Sequence, residues 1–257
     1  EGYYSENIDY EMSYTDNHIL TLCSEFTITG DSSKISSTII SGQESGSILE
    51  FYYGGSVTID GITLEGGYSE YQEYDGLWVE QTGKFTFSNS ILKNCQVYNG
   101  NALGGRLSSL DSIVIYNSKF LNNHDNFNTD GVISIDYVDY VSMNKVEFSG
   151  NSSVTGSAIR LDGANYFEID SSRFNSNISN VGGVIWTGPC SISIKNSLFI
   201  NNSGLMSVLG YRDPDWHPFE FLINIENSSI INNDNVINYQ SYSSPPQNGQ
   251  QVPEFEI

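Results

Sequence analysis

Basic residues are scarce in this chain. Its 257 residues include 10 Lys and Arg against 31 Asp and Glu, giving a formal net charge of −21, although only 16% of residues are charged. A field of this sign repels nucleic acids and anionic membrane surfaces and favours solubility. We therefore expect no nucleic acid and no anionic membrane among the partners.

Long apolar runs are lacking too. No stretch approaches the roughly 20 apolar residues that a membrane-spanning helix needs, so we expect no membrane insertion. No signal peptide remains at Glu1, which is typical of a mature or excised chain.

Cysteine and metal-ligand patterns are sparse as well. The three cysteines, Cys23, Cys95 and Cys190, are an odd number and lie in different registers of the repeat described below. Cys95 and Cys190 fall about three repeats apart, or roughly 14 Å of stacked strands, which is beyond disulfide reach. We expect buried free thiols. His18 and His217 have no ligand partners at metal spacing, so we expect no metal and no cofactor.

The most regular feature that is present is a repeated motif. It consists of two apolar residues flanking a polar one, a bulky apolar residue five positions later, and Asn three beyond that. The fullest copies are Val141-Ser142-Met143 with Phe148 and Asn151, Phe167-Glu168-Ile169 with Phe174 and Asn177, Ile192-Ser193-Ile194 with Phe199 and Asn202, and Ile223-Asn224-Ile225 with Ile230 and Asn233. Looser copies begin at Val57, Phe85 and Ile113. The seven first positions are 28, 28, 28, 26, 25 and 31 residues apart, which indicates a structural repeat.

A second short strand follows each motif, as at Leu77 to Glu80 and Val184 to Trp186, and we expect no helices because little chain remains between strands. Units of this size bury no core alone and must stack. The sequence therefore predicts an all-β, right-handed, single-stranded parallel β-helix of about eight coils, counting one coil before Val57 that contains Phe26, Ile28 and Ile39. We divide the chain into an acidic, Tyr-rich N-terminal segment and cap (1–25), the β-helix (26–240) and an extended C-terminal tail (241–257).

The columns of this stack have predictable environments. We expect the columns that contain Met143 and Phe148 to face the core, and the column that contains Ser142 to face water. Asn123, Asn151, Asn177, Asn202 and Asn233 should form a ladder of stacked amides at a turn, because Asn tolerates the left-handed backbone and amides can bond along the axis. A row of ligand-binding amides is the alternative.

The repeat resembles a known family. Phe120-Leu-Asn-Asn123, Phe148-Ser-Gly-Asn151, Phe174-Asn-Ser-Asn177 and Phe199-Ile-Asn-Asn202 are similar to the FxxN motif, and Gly156-Ser-Ala-Ile159 and Gly182-Gly-Val-Ile185 are similar to the GGA(I/L/V) motif. Their alternation resembles the repeats of the polymorphic outer membrane proteins of chlamydiae and of pectate-lyase-like surface proteins in other microbes. The resemblance covers roughly residues 57 to 239 and implies a secreted or surface-exposed β-helix used in adhesion or surface assembly.

An enzymatic role is the main alternative, since many β-helices are polysaccharide lyases or hydrolases. Asn128-Thr-Asp130 looks like a segment of polygalacturonases in which the Asp is the general acid, but the family's Asp-Asp pair, Gly-His-Gly and Arg-Ile-Lys are absent from this chain. Arg160, beside Asp162, is the one arginine centrally placed in a strand and thus a lyase-base candidate. We expect surface roles for both residues and no catalytic residues.

Two insertions depart from the repeat and are the candidate ligand-binding sites. One carries Tyr68, Tyr71 and Tyr74 with three acids, and the other carries Trp216 within Tyr211 to Phe219. Exposed aromatic rings beside carboxylates suit sugars or proteins, although packing over the coil flank is equally compatible with them.

Sequons give candidate N-glycosylation sites. Those at Asn151 and Asn177 belong to the inward ladder column, so only Asn201 and Asn227 are credible.

The ends of a stacked solenoid must be capped or paired. We expect the termini to cap it, with pairing to another subunit as the alternative. Our expectation is a non-enzymatic extracellular or cell-surface module, structural or adhesive, whose partners are itself, other surface proteins or glycans. A carbohydrate-active enzyme or a glycan-binding module is the alternative.

Overall fold

The protein is a parallel β-solenoid. The computed structural model describes residues 2–5, 8–11, 19–43, 46–52, 55–69, 76–80, 83–97, 100–104, 111–125, 131–181, 183–188, 190–203, 206–210, 222–234, 237–241 and 254–256. Their strands form four sheets, here called sheets 1 to 4 in the order in which one turn of chain visits them, and the pairing between strands is parallel throughout.

Sheets 1, 2 and 4 have nine strands each, and sheet 3 has five. Sheet 1 contains Ile19–Cys23, Ser56–Asp60, Lys84–Ser88, Ser112–Tyr116, Tyr140–Asn144, Tyr166–Asp170, Ser191–Lys195, Leu222–Glu226 and Glu254–Glu256. Sheet 2 contains Gly2–Ser5, Thr38–Ser41, Thr63–Glu65, Ile91–Lys93, Lys119–Leu121, Glu147–Ser149, Arg173–Asn175, Leu198–Ile200 and Ser229–Ile231. Sheet 3 contains Tyr68–Ser69, Gln96–Val97, His124–Asp125, Ser152–Thr155 and Ile178–Val181. Sheet 4 contains Ile8–Glu11, Leu49–Tyr52, Leu77–Glu80, Leu103–Gly104, Ile133–Asp136, Ile159–Asp162, Ile185–Thr187, Met206–Gly210 and Ile237–Ser241.

The predicted fold class is confirmed as an all-β stack of parallel sheets, and the motif supplies its sheets 1 and 2. The prediction that helices are absent is wrong, because two short helices, Phe26–Thr29 and Ser33–Ser37, follow the first strand of sheet 1. Phe26 and Ile28 are thus not strand residues of an early coil, and Ile28 is exposed. Leu20 and Leu22 pair with Val57 and Ile59 instead.

The core lies between the sheets and is built by the two predicted apolar columns. The column of Met143 comprises Ile59, Phe87, Ile115, Met143, Ile169, Ile194 and Ile225, and all seven are buried. The column of Phe148 is buried from Leu64 to Phe199, and Ile230 is half-buried at the far end. In the column of Ser142 the side chains are half-buried, except that Ser193 is buried. The prediction that this column faces water therefore overestimated its exposure.

Phenylalanine rings stack along the axis in the second column. The centroids of Phe120 and Phe148 are 4.8 Å apart, those of Phe148 and Phe174 5.0 Å, and those of Phe174 and Phe199 4.5 Å, with interplanar angles of 9° or less. The spacing equals that of parallel strands, about 4.8 Å, so each ring is held face to face by the backbone register. These are among the largest fully buried side chains of the described residues.

The predicted asparagine ladder is confirmed. Asn151 Oδ1 accepts both the backbone N–H of Asn123 at 3.0 Å and its Nδ2–H at 3.2 Å, and Asn151 Nδ2 donates to the carbonyl of Phe120 at 2.9 Å. The same pattern links Asn151 to Asn177, Asn177 to Asn202 and Asn202 to Asn233.

The backbone reason given for the ladder is wrong, however. The left-handed residue is the one before each ladder Asn, namely Asn122, Gly150, Ser176, Asn201 and Asn232, and Gly66 and Asn94 take the same position before Gly67 and Cys95 in earlier coils. The ladder residues themselves are not left-handed. Hydrogen bonding, and not the backbone conformation, therefore explains why Asn recurs at this position of the repeat.

A second polar ladder runs between sheets 1 and 2. Ser90 Oγ accepts the backbone N–H of Ile62 at 3.1 Å, and Ser118 Oγ accepts that of Ser90 at 3.2 Å. Farther along, Ser172, Ser197 and Ser228 accept from Val146, Ser172 and Ser197, respectively. Each of these serines follows a left-handed residue, so the two tight corners of every coil are built alike.

Both flanking segments add strands to the sheets. The strands Gly2–Ser5, Ile8–Glu11 and Ile19–Cys23 pair with Thr38–Ser41, Leu49–Tyr52 and Ser56–Asp60. The strand Glu254–Glu256 pairs with Leu222–Glu226. The proposed divisions at residues 25 and 240 stay predictions, but strands of the solenoid occur on both sides of each.

Candidate functional site

A polar cleft lies at the corner where sheet 2 turns into sheet 3. It has a volume of about 490 Å³ and is lined by Tyr3, Ser41, Gln43, Glu65, Gly66, Asn94, Gln96, Asn122 and His124. Within the lining, Ser41 and Glu65 form one column, Gly66, Asn94 and Asn122 a second, and Gln96 and His124 a third, each drawn from consecutive coils. The cleft is therefore a product of the repeat, and its groups recur at the strand spacing of about 4.8 Å along the axis.

Left-handed residues form the floor of the cleft. Gln43, Gly66, Asn94 and Asn122 have φ values of 52°, 70°, 56° and 52°. Gly66, Asn94 and Asn122 share one column of the repeat, whereas Gln43 lies one position after Gly42, the residue equivalent to Gly66. A left-handed backbone favours Gly and Asn, and this preference explains the two asparagines of the column.

One wall is formed by the first residues of the sheet 3 strands. Gln96 and His124 are paired neighbours, and the next residues inward, Val97 and Asp125, are buried. His124 Nδ1 lies 2.8 Å from Ser152 Oγ, one coil farther on. That contact orients the imidazole through Nδ1 and does not involve Nε2.

The charge of the cleft comes from Glu65, at the end of a sheet 2 strand. Its carboxylate lies 2.9 Å from the ammonium of Lys93, which belongs to the neighbouring strand. The pair is partly exposed, so its contribution to stability is at most about 1 kcal/mol. Its main effect is to offset the negative charge at the cleft.

The predicted ligand-binding residues are placed in part. Tyr68 is half-buried at the start of the first sheet 3 strand and pairs in register with Gln96, so it shares the outward column of the cleft wall. Tyr71, Tyr74 and Trp216 lie outside the described residues. Sequence reasoning missed Gln43, Glu65, Asn94, Gln96, Asn122 and His124. Most of these residues flank the ladder column in the sequence. Polar residues recurring just before and after that column could have pointed to them.

The glycosylation candidates Asn201 and Asn227 are both exposed and left-handed, whereas Asn151 and Asn177 are fully buried. The geometry thus agrees with the expectation that only the first two are accessible.

Arg160 has structural partners. Its Nη1 donates to Asp136 Oδ1 at 2.9 Å and to Ser134 Oγ at 3.2 Å, and its guanidinium lies 5.0 Å from the ring centroid of Trp186. These contacts tie the side chain to the neighbouring coils on both sides. Asp130, the other catalytic candidate, lies outside the described residues.

The cysteines are free, as expected. Cys95 and Cys190 are buried, but Cys23 is exposed, so the expectation of burial is wrong for Cys23. Burial raises the pKa of Cys190 to about 11 despite a contact of 3.0 Å with Thr187 Oγ1.

Within the described ranges, no group of three or more His, Cys, Asp or Glu side chains is placed to hold a metal ion. The same part of the chain has no helix of the length and hydropathy needed to cross a membrane.

The fold and the cleft place the protein among the parallel β-solenoids, with an amide-lined cleft on one corner. Comparisons with protein-family models, with curated proteins and with solved structures gave no match.

Proposed function

We propose that the protein is a non-enzymatic extracellular or cell-surface module, structural or adhesive in role, built from repeats of the polymorphic outer membrane protein type. We also propose right-handed winding with about eight coils. Sheets of nine parallel strands and the strong right-handed preference of parallel crossovers support the winding and a coil number of this order.

The observation that carries this proposal is the continuity of the axial bonding. The asparagine ladder and one phenylalanine stack run through consecutive coils in addition to the parallel strands, and the serine ladder does so on either side of Val146. Bonding of this kind stiffens the molecule along one axis and repeats its surface at a fixed spacing. A rigid rod that presents repeated surface groups suits a spacer or an adhesive surface layer.

The location is tested with antibodies raised against the folded protein. Staining of intact, unpermeabilised cells of the source is expected, with N-glycans on Asn201 and Asn227 if its secretory route glycosylates. Staining only after permeabilisation would refute the extracellular proposal. Electron microscopy of the native material then separates filaments or surface patches, which we expect, from dispersed monomers.

A carbohydrate-active enzyme remains the competing function, and it has a direct test. The protein is incubated with a panel of neutral and uronic-acid polysaccharides, and new reducing ends and unsaturated uronates are measured. No release is expected. Release that disappears in Asp130→Ala or Arg160→Ala would establish the enzyme instead.

A further inference from the structure

We infer that the polar cleft binds a neutral oligosaccharide. The inference deepens the adhesive role and rests on it, because an adhesive surface module needs a ligand on the opposing surface.

The hydrogen-bonding groups of the cleft match those of a sugar. Each amide side chain offers both a donor and an acceptor, as each sugar hydroxyl does. Elsewhere on the surface, amides of the turn columns bond to neighbouring coils, as Asn117 does to Asn89 and Asn196 to Asp170. In the described part of the chain, the amides of Gln43, Asn94, Gln96 and Asn122 make no such side-chain bond, and they remain available to a ligand.

The charge of the molecule selects a neutral ligand. Among the described residues, Glu65 is the one carboxylate in the lining, and Lys93 offsets it. The whole chain carries a net charge of −21, which disfavours uronates, sulfated glycans and phosphates. A carboxylate beside amides still accepts hydrogen bonds from sugar hydroxyls, and it does so more strongly than a neutral group.

Aromatic rings flank the polar groups. Tyr3 lines the cleft and is 58% exposed. Tyr68 lies in the same outward column as Gln96 and His124. Tyrosine combines an apolar ring face with a hydroxyl, and such a ring can pack on the C–H face of a pyranose while amides bind its hydroxyls. The volume of about 490 Å³ lies within the usual range for small-molecule sites.

The strand pairing disfavours an extended peptide. The sheet 2 strands Thr63–Glu65 and Ile91–Lys93 beneath the cleft already pair on both sides. A peptide therefore cannot add to either of these two strands by β-augmentation. A sugar needs no backbone edge, since side chains alone recognise it.

The test is titration calorimetry with defined hexasaccharides. Neutral gluco-, manno- and xylo-hexaoses are compared with hexagalacturonate at equal concentration. At least one neutral hexaose is expected to bind, and the anionic one is expected not to. Binding of the anionic probe alone, or of no probe at millimolar concentration, overturns the inference.

Variants locate the binding. Asn94→Gly and Gln96→Ala are each expected to weaken the affinity at least tenfold. Gly occurs naturally at positions 66 and 150 of the same column, so Asn94→Gly keeps the backbone acceptable. Asn201→Gly makes the identical change at the same turn position outside the cleft and is expected to leave the affinity unchanged. Equal affinity in all variants overturns the assignment to the cleft.

The failure of this inference can be told apart from the failure of the proposed function. Surface staining with adhesion that survives the cleft substitutions rejects the cleft and keeps the adhesive module. Hexaose binding by a protein found only inside cells keeps the cleft and rejects the extracellular role.

Discussion

Ladder asparagines and the residues that precede them have separate tasks. Asn151 is fully buried and bonds to the coils on either side of it, whereas Gly150 before it takes the left-handed backbone. The amide column could be predicted because amides repeated at a fixed step along a stack can hydrogen-bond to their own copies in the neighbouring coils. The sequence did not separate the two tasks, because Asn suits both.

Replacing a ladder amide should be costly. Asn151→Ala removes the acceptor of the Asn123 backbone N–H and the donor to the Phe120 carbonyl, both buried. At about 1–3 kcal/mol for each buried group left without a partner, we expect a loss of about 2–4 kcal/mol in the free energy of unfolding, measured by urea titration. Asn165→Ala removes an exposed bond to Asp139 and should change stability by no more than about 0.5 kcal/mol. Equal losses in both variants would contradict the ladder's role.

Asp60 should make stability depend on pH. Burial by itself raises its pKa, but hydrogen bonds from Thr27, Asn89 and Ser88 outweigh burial, and the net pKa lies below the ordinary aspartate value of 3.8. The stabilisation is therefore present above that value and is lost as the pH falls through the lower folded-state pKa.

Asp60→Asn removes this ionisation. We expect its urea midpoint to fall less steeply than that of the unsubstituted protein between about pH 5 and pH 2. Asp111→Asn, at an exposed position just before a strand of the same sheet, is the matched control and should keep the full slope. Identical slopes in all three proteins would argue against a special role for Asp60.

Strands could be predicted from the sequence wherever apolar and polar residues alternate. Leu77–Glu80 and Lys84–Ser88 show buried residues at every second position, as the motif requires. The two-residue strands of sheet 3 gave no such alternation, and they carry the cleft wall. The two short helices escaped detection because their residues, including Phe26 and Ile28, resemble the apolar members of a strand. Sequence periodicity therefore cannot identify elements this short, because they contain too few residues to show a repeat.

The phenylalanine stack should tolerate one substitution and not another. Phe148 is fully buried between Phe120 and Phe174. Phe148→Ala leaves a cavity in the stack and should cost about 3–5 kcal/mol. Phe148→Leu should cost less than about 2 kcal/mol, because Leu64 and Leu92 occupy the same column in earlier coils and are fully buried. Urea unfolding of both variants checks the order, and an equal loss would show that ring stacking, and not filled volume, decides stability here.

At the scale of the molecule, the repeat accounts for the scaffold, and departures from it make the site. Gly66 stands where the next two coils have Asn94 and Asn122, and Tyr68 begins the strand column that continues with Gln96 and His124. The sequence singled out Tyr68 as an insertion residue. It could not reveal the cleft, because a concave surface depends on how the corner of one coil sits on the next.

The end of the chain should act as a cap on its own solenoid. The strand Glu254–Glu256 adds to sheet 1 beside Leu222–Glu226 and covers that strand's edge. If the tail instead paired with a neighbouring subunit, deletion of residues 243–257 would split an oligomer and lower the sedimentation coefficient well beyond the mass removed. We expect no such drop.

We expect faster proteolysis within 222–234, because deletion exposes an unpaired strand edge there. Limited proteolysis and sedimentation velocity on the full and truncated chains, with cleavage near 84–97 as the internal reference, distinguish a cap from a donated strand.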